Sequence, residues 1–153
     1  MNIEEIVREY IIKTPHMSLA TVRDNKPWVC EVHFANDDSL NLYFVSKQAT
    51  RHCQEIANNP NVAGNIVRQH ALTEIPHGIY FEGTAEKLET ASNQEIERYC
   101  NALGRDVNQV TSQLLEENGS SMYKVIVSSW STFGKFDSDH VGKTSFEWNG
   151  GVK

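Results

Sequence analysis

Short runs of β-branched and aromatic residues, separated by polar turns, restrict the folds open to this chain. MSLATV, WVCEVHFA and LNLYFVS occupy residues 17–22, 28–35 and 40–46, and each has the composition of a strand. Asp24-Asn25-Lys26-Pro27 separates the first two runs, and Asn36-Asp37-Asp38-Ser39 separates the second from the third. Both tetrapeptides are turn signals. The first third of the sequence therefore predicts a meander of antiparallel strands.

Four further runs predict strands in the remainder of the chain. They cover residues 61–67, 78–89, 123–130 and 144–148. Gly83 interrupts the second of these runs, and a glycine inside a strand indicates a β-bulge or a close backbone approach.

Helices are predicted where apolar residues recur at helical spacing between these strands. Thr50 and Ser92 are candidate N-caps, and Glu95 completes a capping box with Ser92. The predicted helices cover residues 3–11, 51–59, 92–104 and 107–116. Six or seven short strands with peripheral helices indicate a mainly β member of the α+β class. A chain of this length buries such a set most easily by closing the sheet into a small barrel.

Composition excludes several classes of protein. The 153 residues fit a single domain spanning 1–153, and the formal charge of −6 opposes a nucleic-acid partner. No apolar run approaches the roughly 20 residues that cross a bilayer, and the acidic N-terminus does not resemble a secretory signal. Cys30, Cys53 and Cys100 form no CxxC pair, which suits a reducing compartment. We therefore expect a cytoplasmic protein without a membrane or nucleic-acid partner.

Residues 46–52, SKQATRH, have the groups that bind a phosphate. A predicted strand ends at Ser46 and a predicted helix begins near Thr50, so hydroxyls, free helix amides and the Arg51 fork lie within one short segment. Helix amides and the helix dipole favour an anion, and an arginine binds two of its oxygens at once. The alternative is a capped surface helix whose Lys47 and Arg51 are only solvated.

The order of these segments resembles the pyridoxamine 5′-phosphate oxidase-like split barrels, a family of FMN-binding proteins. The likeness rests on WVCEVHF, LNLYFVS and KQATRHCQEIANNPNVAGNI in succession, and on Gly83 and Gly142-Lys143 further along. Within that family the sequence is similar to an uncharacterised bacterial subgroup that has the same TRH and VAG runs. The resemblance implies a split antiparallel β-barrel of six to seven strands with peripheral helices.

The resemblance also implies a set of cofactor-binding residues. In that family one strand lies along the flavin ring, the next ends at a hydroxyl residue, and a Ser/Thr-Arg-Lys-like triplet opens the following helix against the phosphate. His52 stands at the position of a lysine in many relatives, so phosphate binding is expected to be weaker or to depend on pH. The implied residues are Cys30, Glu31 and Val32 at the ring, Val45 and Ser46 at the strand end, Thr50, Arg51 and His52 in the triplet, and Lys143 from a later loop.

The function implied by the resemblance is that of a flavin-dependent oxidoreductase or flavin reductase acting on a small molecule. The protein would be a homodimer with FMN at the subunit interface and NAD(P)H as a candidate reductant. No side chain stands out as a dedicated acid or base, and catalytic residues are not assigned. The extended C-terminal segment that holds the oxidase's pyridoxal substrate is not found, so oxidation of pyridoxamine phosphate is not implied. Two alternatives stay open: a carrier of flavin, deazaflavin or haem without turnover, and a cofactor-free dimeric interaction protein.

The remaining candidate groups favour structural roles. No two of the six histidines have the HxxxH spacing of a helical metal site, so no metal is expected. Cys30 is expected to be a small, buried side chain rather than a nucleophile. Trp28, Trp130 and Trp148 suit core or interface positions, and one of them is a candidate to cover the flavin from the partner subunit.

Overall fold

Eight β-strands form one antiparallel sheet. The computed structural model describes residues 2–150 of the chain. In chain order the strands are β1 (His16–Arg23), β2 (Lys26–His33), β3 (Ala35–Asn36), β4 (Leu42–Lys47), β5 (Asn61–Ile66), β6 (Gly78–Lys87), β7 (Ser120–Phe133) and β8 (Thr144–Glu147).

The sheet curls toward a barrel but does not close. Its order is β2-β1-β5-β6-β7-β4-β3, and β8 pairs with β7 beside this path. The two ends of the order come together, because β2 approaches β4 without pairing with it. This arrangement confirms the predicted α+β split barrel, and the strand count reaches eight because β3 pairs as a separate short strand.

The β1–β2 hairpin forms where the sequence predicts it. Arg23 pairs with Lys26, so the loop between the strands contains only Asp24 and Asn25. Both loop residues have positive φ, 51° and 61°, which is the backbone of the tight two-residue turns that match strand twist. Asx residues adopt this left-handed conformation more readily than other side chains with a Cβ atom.

The prediction of one continuous strand over residues 28–35 is wrong, whereas the predicted turn into residues 40–46 forms as a short antiparallel hairpin between β3 and β4. Strand β2 ends at His33, and Ala35 and Asn36 belong to β3 at the other end of the sheet order. Between them the Phe34 amide donates a hydrogen bond to the Pro15 carbonyl, and the Phe34 side chain is buried. Burial of Phe34 therefore turns the chain out of one strand and into another, which alternation of residue types does not reveal.

Strand β7 is the longest element of the sheet. It runs over 14 residues, whereas the sequence predicted only residues 123–130. One edge pairs with β6 along its length, while the other edge pairs with β4 in its first half and with β8 in its second half. The register shifts between Glu82 and Gly83, which confirms the bulge predicted at Gly83.

Four helices lie around the sheet: α1 (Ile3–Ile12), α2 (Arg51–Asn58), α3 (Asn93–Leu103) and α4 (Val107–Leu115). Asn2 and Ser92 begin α1 and α3 with complete capping boxes, and Asp106 caps α4. Thr50 occupies the predicted N-cap position of α2, but its side chain makes no capping hydrogen bond. Helix α2 alone of these four therefore begins without a side-chain cap.

Two apolar clusters stabilise the fold. The larger fills the inside of the curled sheet and contains Trp130, Phe44 and Phe81, which are almost fully buried. The smaller joins α3 and α4 to the sheet through Tyr99 and Met122, among others. Helices α3 and α4 are thereby fixed beside the end of β4. Within residues 2–150 no helix is long and apolar enough to cross a membrane.

Gly83→Ala is expected to lower the free energy of unfolding. A Cβ atom at position 83 would collide with the backbone carbonyl of Ile126 in the neighbouring strand, where the backbone cannot move away without breaking sheet pairing. Overpacking of this kind costs about 1–3 kcal/mol. Urea denaturation measures the loss, with Thr84→Ala at the adjacent exposed position as the control. Equal stability of the two variants would contradict the close approach.

Candidate functional site

A cleft lies where the barrel is split. It has a volume of about 320 Å³ and is bounded by the end of β2, the end of β4 and the helical pair α3–α4. We call it the split cleft. Its lining residues are Glu31, Val32 and His33 from β2, Val45, Ser46 and Lys47 from β4, Tyr99, Arg105, Val110 and Gln113 from the helical segment, and Ser120 from β7.

Backbone edges beside the cleft are left without strand partners. Strand β2 pairs only with β1, so its second edge is open over the described chain. Strand β4 pairs with β3 only at Leu42 and Tyr43, so its edge toward β2 is open from Phe44 to Lys47. An open edge presents alternating N–H and C=O groups. A flat ligand with polar atoms on its rim would therefore find hydrogen-bond partners along β2.

The first turn of α2 has free amides and lies next to the end of β4. The Thr50 hydroxyl donates 2.8 Å to the Lys47 carbonyl instead of accepting a helix amide. The first helical hydrogen bond runs from the Gln54 amide to the Thr50 carbonyl. Among residues 2–150, the amides of Arg51, His52 and Cys53 therefore have no hydrogen-bond partner. Such a turn attracts anions through these N–H groups and the helix dipole.

His52 contacts two hydroxyls, that of Ser46 near the end of β4 and that of Thr50 at the start of α2. Its Nε2 lies 3.0 Å from Ser46 Oγ and 3.4 Å from Thr50 Oγ1. Burial lowers the pKa of His52, so the ring is neutral at pH 7. His52 therefore orients the hydroxyls of the segment and adds no positive charge to it near neutral pH.

Arg51 is the cation of this segment. Its guanidinium carbon lies 4.2 Å from the centroid of the Trp28 ring, a cation–π contact with the first half of β2. Its Nε donates 3.2 Å to Oε2 of Glu55, one helical turn later. The Arg51 side chain is about half exposed, at 51%, so ligands can reach it.

The two predicted ring-contacting side chains with reactive groups differ in chemistry. Cys30 is half-buried, and burial, together with Cys53 and the carboxylates of Glu31 and Glu55, raises its pKa to about 11. Its thiol is protonated at neutral pH and is a poor nucleophile. Glu31 is exposed at the cleft wall, and the Ser18 hydroxyl donates 2.7 Å to it.

The structure brings most of the predicted cofactor-binding residues together. Glu31, Val32, Val45 and Ser46 line one cleft. Cys30 precedes Glu31 on β2. Residues 50–52 lie beside Ser46, because His52 contacts the Ser46 hydroxyl. The assignment of these residues to a cofactor stays a prediction.

Lys143 lies apart from the split cleft of its own chain. It is exposed in the segment between β7 and β8, with Nζ 5.9 Å from the Tyr80 ring centroid. Tyr80 belongs to β6, which lies between β5 and β7, and no residue of β6 lines the cleft. The predicted contact between Lys143 and a cofactor therefore requires a second chain.

Sequence reasoning missed the wall of the cleft that α3 and α4 provide. Tyr99, Arg105 and Gln113 lie more than 50 residues after Ser46, and only tertiary packing brings them beside it. Burial raises the pKa of Tyr99, and the nearby Arg105 charge opposes that rise. Arg105 forms no ion pair among residues 2–150, so it lines the cleft as a free cation together with Lys47. No group of three or more metal-ligating side chains occurs in the same described range.

An unclosed antiparallel barrel with a ligand-sized cleft at the split defines a split-barrel protein. Residues 3–132 match the pyridoxamine 5′-phosphate oxidase family, and the chain belongs to that family. It is also similar to a UPF0306 protein of Photorhabdus laumondii, with 28% identity over 98 residues, which is 63% of this chain and 68% of that protein.

Two solved structures share the fold at low sequence identity. A haem-binding protein from Mycobacterium smegmatis superposes with a TM-score of 0.77 at 16% identity, over 96% of this chain and 58% of that one. An FAD-binding protein from Mesorhizobium loti superposes with a TM-score of 0.66 at 17% identity, over 86% of this chain and 92% of that one. Identities this low establish the common fold and leave the ligand open.

His52→Gln is expected to remove part of the acid sensitivity of folding. The unfolded chain binds a proton at His52 near pH 6.5, whereas burial lowers the pKa in the folded chain. Between these two pKa values the unfolded state binds more protons, so stability falls as pH drops through that window. Urea denaturation of both proteins from pH 7.5 to 5 measures the effect. Identical pH profiles would contradict a buried, neutral His52.

Proposed function

We propose that this chain binds FMN in the split cleft and acts as a flavin-dependent oxidoreductase or flavin reductase on a small molecule. The observation that carries the proposal is the meeting of two unpaired backbone features at Ser46. The uncapped first turn of α2 lies at one side of this residue, and the open edge of β2 lies at the other. The first suits a phosphate, and the second suits a flat heterocycle.

The phosphate of FMN would bind at the start of α2. The free amides of residues 51–53 and the Ser46 hydroxyl are neutral donors, and Arg51 contributes the charge. Lys47 follows Ser46 at the cleft wall and adds a second positive charge. One helix N-terminus suits one phosphate group, which favours a mononucleotide over a dinucleotide.

The flavin ring would lie along residues 30–32 of β2. Val32 and Val45 offer apolar surface, and the open β2 edge offers backbone donors and acceptors. Bound flavin would supply the redox chemistry, while the chain determines its position, its electrostatic surroundings and access to it. Glu31 and Arg105 at the cleft walls would orient a polar substrate.

A second copy of the chain would complete the site. Trp28 and Val29 on β2 are exposed at 39% and 59%, next to the Arg51 segment. A symmetric dimer would cover this apolar surface and the open strand edge. It would also allow Lys143 of one chain to approach the cleft of the other. NAD(P)H is the proposed electron donor.

Haem binding without turnover is the second candidate function. His33 lines the split cleft, and a histidine imidazole is a common axial ligand of haem iron. A haem-binding protein shares the fold, which keeps this candidate open. The uncapped helix and the Arg51 fork suit a phosphate dianion, which supports FMN over haem as the first candidate.

An absorption spectrum separates the two candidates. Purified protein is mixed with FMN or with haemin, freed of excess ligand and measured in the visible range. Retained flavin bands that bleach on anaerobic addition of NADH or NADPH are expected. Retained flavin without bleaching would support a carrier of flavin, and a retained Soret band alone would support the haem candidate. A colourless protein after both treatments would overturn both.

Arg51→Lys is expected to weaken FMN binding about tenfold or more while leaving folding nearly unchanged. Lysine keeps a positive charge near Glu55 but lacks the planar fork that contacts two phosphate oxygens. Loss of one charged hydrogen bond costs about 1.5–3 kcal/mol, and about 1.4 kcal/mol is a factor of ten in affinity. Fluorescence titration with FMN measures the change. Arg23→Lys, in the exposed Arg23–Asp24 pair, is the matched control, and equal FMN affinity of the two variants would contradict the role of Arg51.

A further inference from the structure

Glu55 is a buried carboxylate on the inner side of α2. Its side chain is only 2% exposed, and Oε1 has no hydrogen-bond partner among residues 2–150. Its other oxygen, Oε2, accepts the Arg51 Nε–H at 3.2 Å. A buried carboxylate is costly unless it is paired. Glu55 therefore holds strongly to the one cation that reaches it, which is Arg51.

The contact with Glu55 uses only Nε of Arg51 and leaves its two terminal nitrogens free. Nε is the only Arg51 nitrogen with a hydrogen bond in the described chain, so both terminal nitrogens keep their N–H groups for a ligand. The Trp28 ring supports the guanidinium from β2 at 4.2 Å. Two contacts thus fix the plane of the guanidinium, one from the same helix and one from the strand proposed to carry the flavin.

We propose that Glu55 is the positioning residue of the phosphate site. It binds Arg51 Nε so that the two terminal nitrogens of the fork stay available to a phosphate bound at the start of α2, although Glu55 itself is buried and does not contact the ligand. This inference rests on the proposed binding of FMN and adds the group that makes Arg51 selective for the phosphate.

Burial is what distinguishes this pair from an ordinary helical ion pair. Arg8 and Glu4 have the same spacing on α1 at 2.8 Å, but their side chains are 35% and 41% exposed. Water can compete with Arg8 for the half-exposed Glu4 carboxylate. Because Glu55 is only 2% exposed, water cannot readily compete with Arg51 for it. A side chain held at Nε in this way would lose less entropy when phosphate binds.

A purely structural ion pair is the competing explanation. Buried ion pairs contribute little net stability, and replacement by an apolar residue of similar size is often neutral or stabilising. The two explanations therefore separate on ligand binding: a structural pair alters stability, whereas a positioning residue alters the affinity for a phosphate-bearing ligand specifically.

The test compares FMN with riboflavin, which lacks the phosphate. Three variants are titrated by fluorescence: Glu55→Met, which removes the carboxylate at similar volume; Glu55→Gln, which keeps an oxygen acceptor for Arg51 Nε; and Glu4→Met, the matched surface control. We expect Glu55→Met to weaken FMN binding about tenfold and to leave riboflavin binding within about threefold of the wild type. Glu55→Gln should recover a large part of the loss, and Glu4→Met should bind both ligands like the wild type.

Two results would overturn the inference. One is an FMN affinity of Glu55→Met within about threefold of the wild type, and the other is an equal loss of FMN and riboflavin. In the Arg51→Lys background, Glu55→Met should have almost no further effect on FMN, because the fork that it orients is gone. Additive losses in the double variant would also overturn it.

A measurement without flavin separates failure of this inference from failure of the proposed function. In ¹⁵N spectra of wild-type protein, the Arg51 Nε–H signal is expected to exchange slowly with water, and Glu55→Met should abolish that protection. Rapid exchange of this signal in the wild type would overturn the positioning role of Glu55, whether or not the protein binds FMN. A protected signal in a protein that binds no FMN would instead overturn the proposed function, and the phosphate role of Glu55 with it.

Discussion

The open seam between β2 and β4 is the constraint on which the rest of this structure depends. Strand β7 has both edges occupied, by β6 on one side and by β4 and then β8 on the other, so the sheet has no way to extend there. The barrel can therefore stay open only at its two ends, and those ends meet at the seam. Strand β2 is exposed over most of its length, so its unpaired edge can bond to water and is open to a ligand or a second chain.

Several ionisable groups near the cleft add no net charge to it, because burial keeps them neutral or pairs them with another group. His52 is neutral, the Cys30 thiol stays protonated, and the Glu55 carboxylate is paired with Arg51. The positive groups at the seam are the free helix amides and the Arg51, Lys47 and Arg105 side chains. Glu31 is the exposed carboxylate of the cleft wall. In a chain with a net charge of −6, this local concentration of donors is the basis of the phosphate site that we propose.

Local chemistry made much of the architecture and part of the site predictable. Three local features were predicted correctly: the capping box at Ser92, the tight turn at Asp24-Asn25 and the bulge at Gly83. The first two depend on residues adjacent in sequence, and the third depends on the absence of a side chain at Gly83. The strand over residues 28–35 was not predicted correctly, because the break at Phe34 results from burial against distant residues. The identity of the other cleft wall, with Tyr99 and Arg105, was invisible for the same reason.

The sequence by itself determined the β-rich class and the helix boundaries, and it indicated residues 46–52 as a candidate phosphate-binding segment. These features depend on the periodicity and the conformational preferences of adjacent residues. Only the tertiary structure decided that the sheet stays open, that α3 and α4 close the cleft, and that Arg51 lies between Trp28 and a buried Glu55. The physical reason is that strand partners and burial are properties of contacts between distant residues. Whether a strand edge is paired, and whether a charged side chain is buried or has a partner, depends on the residues that the fold places next to it.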